Sequence, residues 1–170
     1  MKKFGEYVKE NKIWKNPDFI KDFDGSKVVD SNGKPMLMYH GGSYTRFSGN
    51  EFKGIGWFTC SKPDARYYAK QSGNNVTSAY LVIKNPLYTG EISHLNIKVT
   101  KEILDSFKKR HMYSGGLKVE NGIIQFIEAN NGTLIARDCG YDGVIDIDDG
   151  EILDSVIFDS KQLLFPEDYK

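Results

Sequence analysis

Apolar positions gather most tightly at Met36-Leu37-Met38-Tyr39, which runs straight into His40-Gly41-Gly42-Ser43. A short apolar run with a glycine stop predicts a core strand that delivers a histidine and an open backbone to its own end. Upstream, Lys27-Val28-Val29-Asp30 and Pro35 to Tyr39 flank Ser31-Asn32-Gly33-Lys34. Asn-Gly between two apolar runs predicts a hairpin, with the His40 strand as its second arm. Before it, Phe4, Tyr7 and Val8 share a helical face within residues 1–24, and Asn16-Pro17 interrupts that run ahead of a short turn over Asp18 to Phe23.

Past His40, Ser43 to Lys53 is polar and predicts a loop, and Gly54 to Thr59 predicts a glycine-led strand. Ser61-Lys62-Pro63-Asp64 has the chemistry of a helix start, with Ser61 as N-cap, and the helix ends near Gly73. Ser78 to Lys84 alternates as a strand closed by Asn85-Pro86. Thr100 to Arg110 predicts a helix with Ile103, Leu104 and Phe107 inward, and Ser114-Gly115-Gly116 a loop. Residues 121–131 fit helix or strand. Helix is favoured because Ala129, Leu134 and Ile135 then continue one apolar face. Val144 to Ile147 and Asp154 to Phe158 predict the last strands, turned by Asp148-Asp149-Gly150.

Composition narrows the function classes. Lysine plus arginine equals aspartate plus glutamate at 23 each, which gives no support to a nucleic-acid-coating or membrane-binding surface. No apolar run has transmembrane length and the N-terminus lacks a signal-peptide core, so a cytoplasmic protein is expected, with no membrane partner. Cys60 and Cys139 are too few for a zinc site or a disulfide framework. The acids Asp146, Asp148, Asp149, Glu151 and Asp154 flank one turn, but the spacing of a calcium loop is missing and no metal is expected. One domain is expected, with 1–24 as a helical segment packed on 25–170.

Candidate chemistry rests on three stretches: His40-Gly41, Trp57 with Tyr68 eleven residues on, and the acids around the last strand. A strand followed by a returning helix can set two rings as the walls of a slot for a flat heterocycle. Core packing competes for both rings.

Taken in order, these stretches resemble the ADP-ribosyltransferase superfamily on its diphtheria toxin and poly(ADP-ribose) polymerase side. The small domains of bacterial and phage mobile elements are most similar. The resemblance rests on Lys27 to Gly42, Gly54 to Ala69, Tyr80 to Leu87, Gly140 to Ile145 and Val156 to Leu163; residues 105–137 fit it poorly. It implies an α+β fold with a mixed, largely antiparallel split β-sheet, and NAD as substrate. By position, His40 would bond the adenosine ribose and Gly41, with Gly42 after it, would hold the nicotinamide amide. Trp57, with Phe58 beside it, and Tyr68 would form the nicotinamide slot. Asp154 stands where the family has glutamate, Trp57 where it has tyrosine, and Ala65 where relatives often have serine. Glu151 is the alternative carboxylate. The implied activity is transfer of one ADP-ribose to a macromolecule, a protein sooner than a nucleic acid, in phage–host conflict or after delivery into a host cell. NAD hydrolysis and non-catalytic NAD binding are the alternatives.

Overall fold

The computed structural model describes residues 13–42, 56–71, 73, 75–90, 96–111, 117–121, 123–126 and 129–169. Thus residues 1–12, the expected loop at 43–53 and the Ser114-Gly115-Gly116 loop lie outside the described residues, as does the Phe107 side chain.

Helix α1 spans Pro17–Phe23. The helical turn at Ile13 ends before the Asn16-Pro17 pair, which interrupts the run as expected and opens the next helix. The Asn16 side chain accepts the Asp18 and Phe19 amides, and Pro17 sits in the first turn where its missing N–H costs nothing. The hairpin turn forms around Gly33, whose φ of 73° suits glycine. Asp30 caps it by accepting the Asn32 and Lys34 amides. The first arm is no strand, however: it touches the second at a single bridge, Val29 to Pro35.

Strand β1 (Leu37–Gly41) takes its main partners elsewhere, antiparallel to β2 (Gly56–Thr59) and to β3 (Val76–Leu81). Helix α2 (Lys62–Gln71) joins β2 to β3, started by Ser61, whose Oγ accepts the Asp64 amide. The strand predicted over Ser78 to Lys84 forms as β3 and stops at Leu81, ahead of Asn85-Pro86. Pro86 begins β4 (Pro86–Thr89), an edge strand parallel to β8 (Gly143–Asp148), where a missing N–H is tolerated.

Parallel neighbours need a long crossover. Here it comprises β5 (Asn96–Lys98), α3 (Lys101–His111), β6 (Leu117–Glu120), β7 (Ile123–Phe126) and α4 (Ala129–Asp138). Residues 121–131 therefore hold a strand and the start of a helix, not one helix. Asn121, at φ 51°, turns β6 back into β7. The apolar face of Leu134 and Ile135 belongs to α4 alone. Strands β5, β7 and β6 form a three-stranded sheet.

The chain returns through β8 and β9 (Glu151–Ile157), joined by Asp149-Gly150 with both φ positive, the turn that matches strand twist. A short strand β10 (Leu163–Leu164) then pairs with β3. The main sheet runs β10-β3-β1-β2-β9-β8-β4. The fold is α+β with a mixed main sheet, as the resemblance implies.

Both faces are covered. Met38, Phe58, Ala79, Leu81, Ile83, Ile145 and Ile157 pack with Val28 on one. On the other, Val144 and Val156 meet the crossover through Ile97, Ile135 and Ala136. Helix α1 closes the β3 end, with the Phe19 ring 4.9 Å from Tyr80 in an edge contact.

Gln162 clamps the layers. Its Oε1 accepts the Phe158 and Asp159 amides, and its Nε2 donates to the Val82 and Asp142 carbonyls, at 2.7–3.0 Å. Gln162→Ala strands three partly buried groups, besides the exposed Asp159 amide, and is expected to cost about 2–4 kcal/mol in urea unfolding. Gln162→Glu is expected to cost more at neutral pH, because it sets a carboxylate against two carbonyls. A midpoint unchanged in both variants would refute the clamp.

Candidate functional site

Strands β1, β2 and β9 lie side by side, and this brings the three candidate stretches together. Alternate residues of a strand point to opposite faces. Tyr39 pairs with Thr59, so Tyr39, Gly41, Trp57 and Thr59 share one face. Thr59 pairs in turn with Asp154, and its hydroxyl hydrogen-bonds that carboxylate. Helix α2 lies over the same face: the Lys62 ammonium sits 5.7 Å from the Tyr39 ring centre.

Gly41 sets how close α2 comes. A methyl group there would run into the Ala65 carbonyl and stand 2.8 Å from the Ala69 amide nitrogen. Ala65 and Ala69, each 1% exposed, are the small residues this approach requires. That is the local reason for alanine at position 65. Asp64 and Tyr68, four apart, share a flank of α2. Asp64, at the start of that flank, is close enough for its charge to act on Asp154. Tyr68 stands on the same flank, 58% exposed, with its ring 5.6 Å from Tyr67.

Trp57 is half-buried. It packs against the cluster of Val144, Val156 and Ile135, so it is neither sealed nor free-standing. His40 leaves the opposite face, with its ring tilted 5.5 Å from Phe58. It rejoins Trp57 through the backbone, where Nδ1 lies 2.6 Å from the Trp57 carbonyl. A carbonyl only accepts, so Nδ1 carries the proton and Nε2 is the acceptor of the neutral ring. Burial holds the His40 pKa below the usual imidazole value, against the carbonyl's pull, and this keeps the ring neutral.

Two expected contacts fall elsewhere. Phe58 is 5% exposed within the core, and backs His40 from there. The Gly42 N–H is spent on the Asn75 carbonyl at 2.9 Å.

Asp154 does not open the last strand, as expected, but sits inside β9 at a bulge. Ile145 pairs with Ser155 and Ile147 with Ile152, so two steps along β8 face three along β9. Bulges re-aim side chains beside functional sites. Burial raises the Asp154 pKa above the usual carboxylate range. The Thr59 hydroxyl opposes that rise and the Asp64 charge adds to it. Cys60, next to Thr59, is a protonated thiol, pushed up first by burial and then by the Asp154 charge.

Thr59 was not singled out from the sequence, although period two from Trp57 places it on the site face. Among the described residues no cluster of metal-ligating side chains occurs, and no helix is long and apolar enough to cross a membrane. A separate hollow of about 440 Å³ lies among Val82, Arg137, Tyr141, Phe158 and Lys161. Its lining amide and carboxylates, Gln162, Asp142 and Asp159, bond backbone groups.

Residues 30–164 match the family model described as ADP-ribosyltransferase in polyvalent proteins. No curated protein matches the chain, and no solved structure does. The matched span runs from the hairpin turn to β10 and takes in His40, Gly41, Trp57, Tyr68 and Asp154. The chain belongs to the ADP-ribosyltransferase family of polyvalent proteins.

Proposed function

We propose that this protein binds NAD+ and transfers its ADP-ribose to a macromolecular acceptor. The observation that carries the reading is the Asp154 carboxylate, half-buried and bonded by Thr59, on the face it shares with Trp57 and Gly41 beside α2.

The nicotinamide would lie between Trp57 and the Tyr68 flank, stacked on the indole, with its amide on the Gly41 backbone. The adenosine ribose would reach the acceptor nitrogen of His40. Because His40 points to the other face, the dinucleotide has to bend past the end of β1, beyond the point where α2 covers Gly41.

The bond that breaks joins the nicotinamide nitrogen to the ribose. Its electron pair goes to the nicotinamide, which leaves neutral, and positive charge develops on the sugar. A carboxylate near the ribose stabilises that charge and orients the 2′-hydroxyl. The acceptor nucleophile then bonds the anomeric carbon from the opposite side, with inversion, and gives its proton to solvent. Balanced net charge favours a protein acceptor over a nucleic acid. The phage and mobile-element setting fits a family of polyvalent proteins.

Labelled NAD+ incubated with the protein and cell lysate tests this. Transfer predicts release of nicotinamide and a labelled macromolecule. His40→Ala is expected to raise KM for NAD+ roughly 10-fold, the loss of one bond to the ribose. Free ADP-ribose without labelled macromolecule would identify a hydrolase. NAD+ binding without nicotinamide release would identify a binding module. No binding at millimolar NAD+ would end the proposal.

A further inference from the structure

Thr59 lies directly across from Asp154 on the neighbouring strand. Its Oγ1 accepts the Ser61 amide at 3.1 Å. A hydroxyl has one hydrogen and two lone pairs. An ionised carboxylate can only accept. With the Ser61 N–H on a lone pair, the hydroxyl hydrogen is directed at Asp154. Ser61 is itself fixed as the first residue of the α2 cap: its Oγ accepts the Asp64 amide and its carbonyl the Ala65 amide. A chain of hydrogen bonds thus runs from the start of α2 to the carboxylate.

We infer that Thr59 is a positioning residue for Asp154, a hydroxyl oriented by the Ser61 amide that fixes where the bulged carboxylate points. This rests on the reading of Asp154 as the carboxylate that acts on NAD+. It also bears on how an aspartate can serve where the family has glutamate. The bulge in β9 re-aims the shorter side chain, and Thr59 holds it there.

The surroundings make the hydroxyl's part specific. Asp64 approaches from α2, and Asp146 lies on β8 opposite the bulge. Cys60 and Glu151 stand at the end of β2 and the start of β9. Lys62 is turned to the Tyr39 ring. Burial and the Asp64 charge oppose a charge on Asp154, and the Thr59 bond supports it.

Thr59→Val keeps the branched shape and removes the hydroxyl, and Thr59→Ser restores it. Two readouts apply: the Asp154 side-chain carboxyl followed by carbon-13 NMR against pH, and the pH profile of kcat/KM for NAD+. Thr59→Val is expected to titrate at a midpoint about one pH unit higher, with the acid limb of kcat/KM moved the same way. KM for NAD+ should stay within about twofold and Thr59→Ser should return both midpoints. A carboxyl that titrates as in the parent, or an acid limb that stays in place while the carboxyl moves, overturns the inference. If Thr59→Val does not fold, Thr59→Ala is read in the same way. A parent inactive on NAD+ refutes the functional reading instead. The carboxyl titration then still decides whether Thr59 holds Asp154.

Discussion

Gly41→Ala is expected to lower the melting temperature by roughly 6–12 °C and to cut NAD+ cleavage by about 10²-fold. The added methyl would meet backbone, the Ala65 carbonyl and the Ala69 amide, and not a side chain that could turn aside. Helix α2 would have to lift from β1. Overpacking of this kind costs about 3 kcal/mol, and a chain of this length loses about 2–4 °C per kcal/mol. The helix carries Tyr68, and its cap orients Thr59, so a shift of about 1 Å disturbs the slot and the carboxylate together. Gly140→Ala is the control. Gly140 has φ of 90° and open space where the methyl would go. It should lose only about 1–2 kcal/mol of backbone strain and leave NAD+ kinetics unchanged. A Gly41→Ala protein with the parent's melting curve and KM would show that α2 is not seated on this residue.

The contrast between these glycines marks what was legible in the sequence. The glycines at 41 and 42 announced an open backbone, and the apolar run before them a core strand. The apolar run is β1, but its end is not open on the α2 side: the Ala65 carbonyl fills the space beside Gly41, and the Gly42 N–H is spent on the Asn75 carbonyl. Which glycine is crowded and by what depends on α2, twenty-four residues further on, and no local pattern carries that distance. Pro17 and Pro86 each mark a break that the sequence predicts: the helical run is interrupted before Pro17 and β3 has ended before Pro86. In the fold each opens an element, since the first turn of a helix and an edge strand both tolerate a missing N–H. The stretch at 121–131 departs from the single helix its sequence favours. An apolar face that α4 uses alone was extended backward across a hairpin, and short apolar runs do not separate helix from strand.

At the site, the order and spacing of His40, Trp57, Tyr68 and Asp154 point to the family; the strands of His40, Trp57 and Asp154 are neighbours, and Tyr68 lies on α2. The faces were also available from period two. Trp57 and Thr59 must point together, and Phe58 away from them. A threonine in a strand is ordinary, and nothing local in the sequence sets Thr59 apart. Only its register with Asp154 and the Ser61 amide gives it a role. The bulge that re-aims Asp154 is a property of β8 and β9 together, so the position looked like the opening of a strand.

Asp154→Asn is expected to reduce kcat/KM for NAD+ on the order of 10²–10³-fold while leaving the protein as stable as the parent, or more so. The two effects have one cause. Burial disfavours the charged carboxyl, so its pKa in the fold lies above the ordinary carboxylate value of 3.8. For an acid whose pKa is raised by folding, the ionised form is the costlier one in the folded state. Stability contributed by the protonated form is therefore lost as pH rises through the ordinary and then the raised midpoint. At neutral pH the parent bears that cost and the neutral asparagine does not. Catalysis runs the other way, because only the ionised group can face the cation that develops on the ribose. The parent's kcat/KM should fall as pH drops through the raised Asp154 midpoint, and the residual activity of Asp154→Asn should lack that limb. Melting curves and pH profiles on the two proteins, recorded side by side, check both halves. A variant that melts well below the parent would make the lost activity a folding defect. One that keeps the parent's rate and acid limb would move the chemistry to another carboxylate, with Glu151 the first to test.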